Sequence, residues 1–497
     1  MREDDRAYFE DAEFKESLRR YESALSMGKS VYMDADELTD IAEYYMVNNK
    51  EKEANEAISI ALDLHPGSVD PQVFLARQEM FHDRLDRAHE ICDSIEDQND
   101  REVAFLRAEL MIREDEVEAA QEFLMDIHDG LDSGKADFLY DSACVFLDYD
   151  LFDEALVFAT RLEGEHPRYS KTKPLLVDVL MAMENYEAAI PIINDLLDAN
   201  PYDTECWLCL AESQYAQGKW DEAMESTEFV LAITPDDKKA VVVKAKCLME
   251  TNTYDKAHDT LHAYLTRHPA DSLVLYHDSV CLSFLERYDE ALASIEKSLS
   301  GRYNDADDRL RAYLQLAYIQ SKRHNAQKAL AALDKASGME SDNISCDFDL
   351  LRGEIYLENG YPEHAVTFFI DSLKRTSDRE VTMFNICVAY LESGYCHDAS
   401  DLFRRYMDEY PDSARKCWPY LALSYYQSGE TEQYLKYLKM SAEDNPDVTQ
   451  FLFSKYFPST PVEEYYTYAY RAAHGVCPPD GGRTDTENGR IAAGRTK

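Results

Sequence analysis

Two histidines, His258 and His262, and two cysteines, Cys206 and Cys209, have types and spacing that invite a chemical reading. At that spacing each pair shares one face of a helix. A zinc hydrolase built on His-x-x-x-His needs a glutamate after the first histidine as general base. Here that residue is Asp259, and positions 258 and 262 lie beside the packing stripe of a helix, where exposed side chains are expected. A Cys-x-x-Cys pair holds zinc with a second such pair, or does redox chemistry where its thiols are acidic. This one has no second pair and sits inside a helical pattern, which favours two buried, inert thiols. Gly28-Lys29-Ser30 ends like a phosphate-binding loop, but Ser23 stands where that loop needs its first glycine. Gly130 and Gly134 are too close together to do better before Lys135. Carboxylate pairs are too common in so acidic a chain to mark a glycosidase-type site. The reading assigns no catalytic residue, no cofactor and no metal, and no catalytic domain at either end: the expectation is not an enzyme.

The elements behind these residues are amphipathic helices. Between Trp207 and Pro235, residues Trp207, Leu210, Ala211 and Gln214 mark one face of a helix, and Trp220, Ala223 and Thr227 mark a second. Gly218 supplies the turn and Pro235 stops the second helix. Such a hairpin cannot bury both apolar faces alone and needs similar neighbours. They are present. In frames starting at 35, 69, 101, 136, 170, 204, 238, 272, 310, 346, 380 and 415, position 20 is Ala in eleven of twelve, Tyr434 being the exception. Position 8 is Ala, Gly, Ser or Cys in eleven, with Val177 the exception. Small residues are wanted where two helices cross closely.

This pattern resembles the tetratricopeptide repeat family, whose period is about 34 residues with small residues at these positions and a proline near the end. The resemblance covers about residues 35 to 446. Tyr215 falls one place later than the family tyrosine, Trp stands at position 4 only at Trp207 and Trp418, and Gly at position 8 only at Gly353. The fold it implies is all-α: a right-handed α-solenoid superhelix of tandem helix-turn-helix repeats. Residues 1–34 read as a partial N-terminal repeat or cap, with Phe14, Ser17, Tyr21, Ala24 and Leu25 matching a second helix. Residues 35–448 hold twelve repeats. Residues 449–474 read as two capping helices carrying eight aromatics, among them Phe451, Phe453, Tyr456 and Tyr465. Residues 475–497 read as a disordered tail. The 38-residue step around Ser300 to Asp308 predicts a longer loop there, and with it a hinge or a boundary between sub-arrays.

Composition narrows the partner. With 97 acidic and 51 basic residues the net charge is −46, which disfavours nucleic acid and anionic membranes. It allows basic partners, and solubility alone also explains it. The N-terminal residues have no apolar signal core, no stretch suits a membrane span, and eleven scattered cysteines fit a reducing compartment. A cytoplasmic location is the expectation.

The resemblance implies that the first helices line a concave groove through positions 2, 5, 9 and 12. Position 12 is apolar or aromatic in ten of twelve frames. Candidate groove residues are Phe105, Tyr140, Leu208, Tyr276 and Phe384 at position 5, Met181, Tyr215 and Met249 at position 12, and Lys239 and Lys246 in a small basic island. Either these side chains pack on the next hairpin, or they form an adaptable floor for an extended or amphipathic peptide. Positions 2 and 9 carry eleven acids against six bases, the same ratio as the whole chain, so the groove reads as no more acidic than the rest. The Lys and Asn clamp with which some members of the family hold acidic chaperone tails is absent. The expectation is a protein-interaction scaffold whose partner is a protein or peptide, basic or amphipathic in character. The alternative is a structural protein that dimerises through its aromatic cap.

Overall fold

The computed structural model describes residues 8–9, 11–27, 32–303, 305–339, 347–458 and 460–475. The tail expected beyond residue 475 and the Gly28-Lys29-Ser30 triplet lie outside them. Among the described residues there are 27 α-helices and no strand. No helix among them is long and apolar enough to cross a membrane. The chain divides into two units, residues 1–243 and 244–497, and the division falls inside the helix Lys238–Glu250. It does not fall at the 38-residue step. There the added residues lengthen a helix: Ala306–Lys322 has 17 residues where Thr204–Ala216 has 13, and the Asp305 carboxylate caps it by accepting from the Asp307 N–H at 2.9 Å. The expected long loop is therefore largely an extra helical turn.

In residues 1–243 six helix pairs follow the opening helix Ala12–Ser26, from Ala35–Val47 with Glu51–Leu64 to Thr204–Ala216 with Trp220–Ile233. In residues 244–497 the pairs run from Ser272–Phe284 with Tyr288–Ser300 to Trp418–Ser428 with Thr431–Asp444, closed by Pro446–Phe453 and Tyr465–His474. All eleven alanines at position 20, from Ala54 to Ala399, are fully buried. A larger side chain there would drive the two helices apart. Gly353 shows how close the crossing is: a Cβ built on it would lie 2.5 Å from Phe369 Cδ1 and 2.9 Å from Cζ.

The turn inside each pair repeats as well. Asn49, Asp83, Asp115, Asp150, Glu184, Gly218, Asn252, Glu286, His324, Gly360, Gly394 and Gly429 all have positive φ, and all fall at position 15 of their frames. The left-handed residue reverses the chain within one step and lets the next N–H reach back five residues, as Lys219 N to Gln214 O at 2.9 Å. Trp207 stacks on Phe229 at 4.3 Å and its Nε1 donates to the Pro201 carbonyl at 2.9 Å. Trp220, expected on the packing face, is 36% exposed.

Both ends are closed by aromatics. Phe14 and Tyr21 of the opening helix are buried against Tyr44 and Tyr45. At the other end Phe453 and Tyr465 are buried, Phe453 against Tyr434 and Tyr426, Tyr465 stacked on Phe457 at 4.5 Å. Most of these rings fold back on the last hairpin; Phe451 stays exposed.

Candidate functional site

His258 makes a contact between helices, and Cys206 and Cys209 are half-buried. His258 is not the exposed residue expected: its Nδ1 lies 2.6 Å from Asp278 Oδ1, a carboxylate that also accepts from Ser294 Oγ at 2.8 Å, and both partners are largely buried. The bond ties the helix Tyr254–Leu265 to the next first helix, while His262 stays exposed. Cys206 and Cys209 are half-buried, and burial followed by the charges of Asp203 and Glu212, respectively, pushes both thiols up to about 12. Such thiols are neutral at physiological pH and neither attack nor bind metal readily. Among the described residues no group of three or more His, Cys, Asp or Glu is placed to hold a metal ion.

What remains is the face built by the first helices. In residues 1–243 a 650 Å³ pocket is lined by three consecutive first helices and by Glu43. It is strongly polar, but its cations are already engaged. Arg77 grips Glu109 with two nitrogens, Nε to Oε2 at 3.0 Å and Nη2 to Oε1 at 2.8 Å, Arg101 pairs with Asp141, and Arg113 reaches Asp83 at 3.1 Å. A second pocket of 470 Å³ lies around Tyr140, with Lys171 Nζ 4.4 Å from the ring centroid and Asp178 and Glu205 also in its lining.

In residues 244–497 a 430 Å³ pocket is formed by the first helices Ala306–Lys322, Phe348–Glu358 and Arg379–Glu392. Its floor is apolar: Leu314, Ala317, Leu351, Ile355, Val388 and Ala389. Its rim carries Glu354, Glu358, Glu392 and Lys322. Lys322 Nζ and Ser321 Oγ both donate to Glu358, and Asn359 Nδ2 donates to Ser321 Oγ at 3.0 Å, fixing that corner. Burial alone would lower the Lys322 ammonium; the hydrogen bond and charge of Glu358 outweigh it and raise it. Burial, then the charges of Glu358 and Glu392, push the Glu354 carboxyl up to about 7. Burial likewise pushes Glu392 up.

The residues singled out from sequence fall in different places. Phe105 and Leu208 are buried; Phe105 stacks on Phe138 at 5.1 Å and belongs to the packing beneath the polar pocket. Tyr140, Met181, Tyr215, Met249, Tyr276 and Phe384 are half-buried. Met181 meets Ser213 Oγ at 3.1 Å, and Phe384 packs its ring edge-on against Phe403, Tyr406 and Tyr420. Burial raises the Tyr276 phenol. Lys239 is exposed and Lys246 half-buried; the unit division falls between them. Lys246 charge helps hold the buried His277 down near about 3, after burial itself. At position 12, Met80, Ile112, Leu357 and Leu391 are buried, so in those frames this position serves packing. Lys322, Glu358 and Glu392 all stand at position 13, which the sequence reading left out of the groove. The signal for them is a run of charges at one position in three successive frames.

Two family models, each described as tetratricopeptide repeat, match residues 175–238 and 214–276. No curated protein matches the chain. Among solved structures it is similar to a tetratricopeptide repeat protein from Parabacteroides merdae, at 15% identity over 54% of this chain and 98% of that one, TM-score 0.41. It is also similar to the Cut9–Hcn1 assembly of the APC/C, at 16% identity over 76% of this chain and 74% of that one, TM-score 0.39. A third is human IFIT1, solved as a dimer with PPP-AAAA, at 13% identity over 86% and 93%, TM-score 0.42. At these values the likenesses say nothing about what this chain binds.

Proposed function

The chain is a tetratricopeptide repeat protein, and from that premise we propose that it is a non-enzymatic interaction scaffold whose first-helix face receives an extended segment of a protein partner. Tetratricopeptide repeats are in general protein–protein interaction modules. The observation that carries the reading is the 430 Å³ pocket, where three successive hairpins each contribute side chains to one cavity. A ligand seated there touches three repeats at once, which suits an extended chain better than a compact small molecule. The half-buried Tyr140 and Met181 in residues 1–243, and the half-buried Tyr276 and exposed Tyr318 in residues 244–497, are the groove contacts of this reading.

The test is capture of the full chain from lysate of its own source, beside a Tyr140→Ala/Met181→Ala variant and a Tyr276→Ala/Tyr318→Ala variant. A protein held by the parent and released by either variant is the expected result. A partner held equally by all three removes the first-helix face from the account.

A further inference from the structure

We propose that the pocket between Ala306–Lys322, Phe348–Glu358 and Arg379–Glu392 selects a lysine or arginine side chain carried on the bound segment. This rests on the scaffold reading and adds the chemistry of the ligand. Three carboxylates and one ammonium rim the cavity. Glu358 is committed to Lys322 and Ser321. Among the described residues none donates a hydrogen bond to Glu354 or Glu392. Glu354 is half-buried and Glu392 is exposed at the mouth of the pocket, and the favourable charge that acts on them is that of Lys322, itself bonded to Glu358. A carboxylate partly withdrawn from water is costly unless a cation or a donor meets it. An incoming ammonium or guanidinium supplies both. The rest of the pocket fits the rest of such a side chain: an aliphatic stem lies along Leu314, Leu351 and Val388 while the charged head meets the acids. Tyr318 adds a ring that already carries one cation, Lys322 Nζ being 5.3 Å from its centroid. At 430 Å³ the space falls within the range of about 300–1,000 Å³ usual for a specific site. The two polar pockets described in residues 1–243 do not share this character, because the arginines of the larger one are already paired with carboxylates and Lys171 sits in the other.

The occupant is therefore a basic side chain of a partner protein. The probe is a positional-scanning array of dodecapeptides, each set fixed at one position and mixed at the others, applied to the full chain. The expected result is enrichment of Arg and Lys at one position. In a Glu354→Gln/Glu392→Gln variant that preference weakens by about tenfold, the scale of one hydrogen bond to a charged group. In Lys322→Gln, which removes the competing ammonium and frees Glu358, the preference strengthens, a gain that misfolding cannot mimic. Peptides retained without basic preference, or a preference unchanged in all three proteins, overturn the inference and leave the scaffold reading standing. No peptide retained by any of them overturns both.

Discussion

Gly353 to Ala tests the packing logic of the whole array at one atom. The added Cβ would sit 2.5 Å from Phe369 Cδ1 and 2.9 Å from Cζ, closer still to Cε1. Carbon atoms rest at about 3.5–4.0 Å, so the ring must retreat by roughly 1 Å. Phe369 is buried with Tyr390 beside it at 5.8 Å, and it has little room to do so. Overpacking of this kind costs about 1–3 kcal/mol. The same substitution gains up to about 1 kcal/mol by replacing glycine inside a helix. The balance is a loss of about 1 kcal/mol, up to about 2. In a Phe369→Leu background the steric part disappears, and Gly353→Ala becomes neutral or stabilising by up to about 1 kcal/mol. The assay is hydrogen exchange of the 348–375 hairpin in the four proteins of this cycle, since a repeat array need not unfold in one step. An effect of the same sign and size in both backgrounds would refute the close-crossing argument.

Glu354 titrates near about 7 in the fold against 4.5 when unperturbed. Between those values the folded chain holds a proton that the unfolded chain has released, so stability falls as pH rises through that window. The loss levels off above pH 7 at up to about 3 kcal/mol. In urea unfolding, Glu354→Gln is therefore more stable than the parent above pH 7, and the margin closes as pH falls to 4.5. Burial pushes the Cys281 and Cys387 thiols up to about 12, so iodoacetamide at mildly alkaline pH leaves both unmodified in the native protein and alkylates both in denaturant, as read by peptide mass spectrometry. Phe453→Ala empties a fully buried site under the last hairpin; a cost of about 3–5 kcal/mol is expected, read as faster exchange in the Thr431–Asp444 helix. Glu286 holds φ 57° at a hairpin turn; Glu286→Gly is expected to stabilise by about 1 kcal/mol in thermal unfolding, because the left-handed region is strained for side chains.

The hairpin architecture was legible because its strictest requirement is a side chain's size. Ala54, Ala88 and their counterparts are fully buried where helices cross, and only small residues fit, so the period stands out in the letters. The turn was legible at Gly218 alone. Asn49, Asp83, Glu184, His324 and Gly360 adopt the same left-handed geometry, but a backbone requirement met by five residue types leaves no signature. The 38-residue step read as a loop because added length is easiest to imagine between helices; Asp305 instead caps an earlier start and turns the addition into helix. The unit division at 243/244 left no mark, since the 34-residue spacing runs through it unbroken. The pocket of Glu354, Glu358 and Glu392 was hidden for a related reason. Two of its acids stand at position 13, and counting charge over positions 2 and 9 averaged the third into the background.

The most direct test of the account is photocrosslinking from two chosen positions. Val388 is half-buried in the first-helix pocket, and Val366 is 43% exposed on the second helix Pro362–Arg375. A benzophenone amino acid is placed at one or the other in the full chain, which is then exposed to lysate of its source and irradiated. The account predicts a discrete protein adduct from position 388 and none from 366. An adduct from 366 with none from 388 would contradict the claim that the first-helix face is the binding surface.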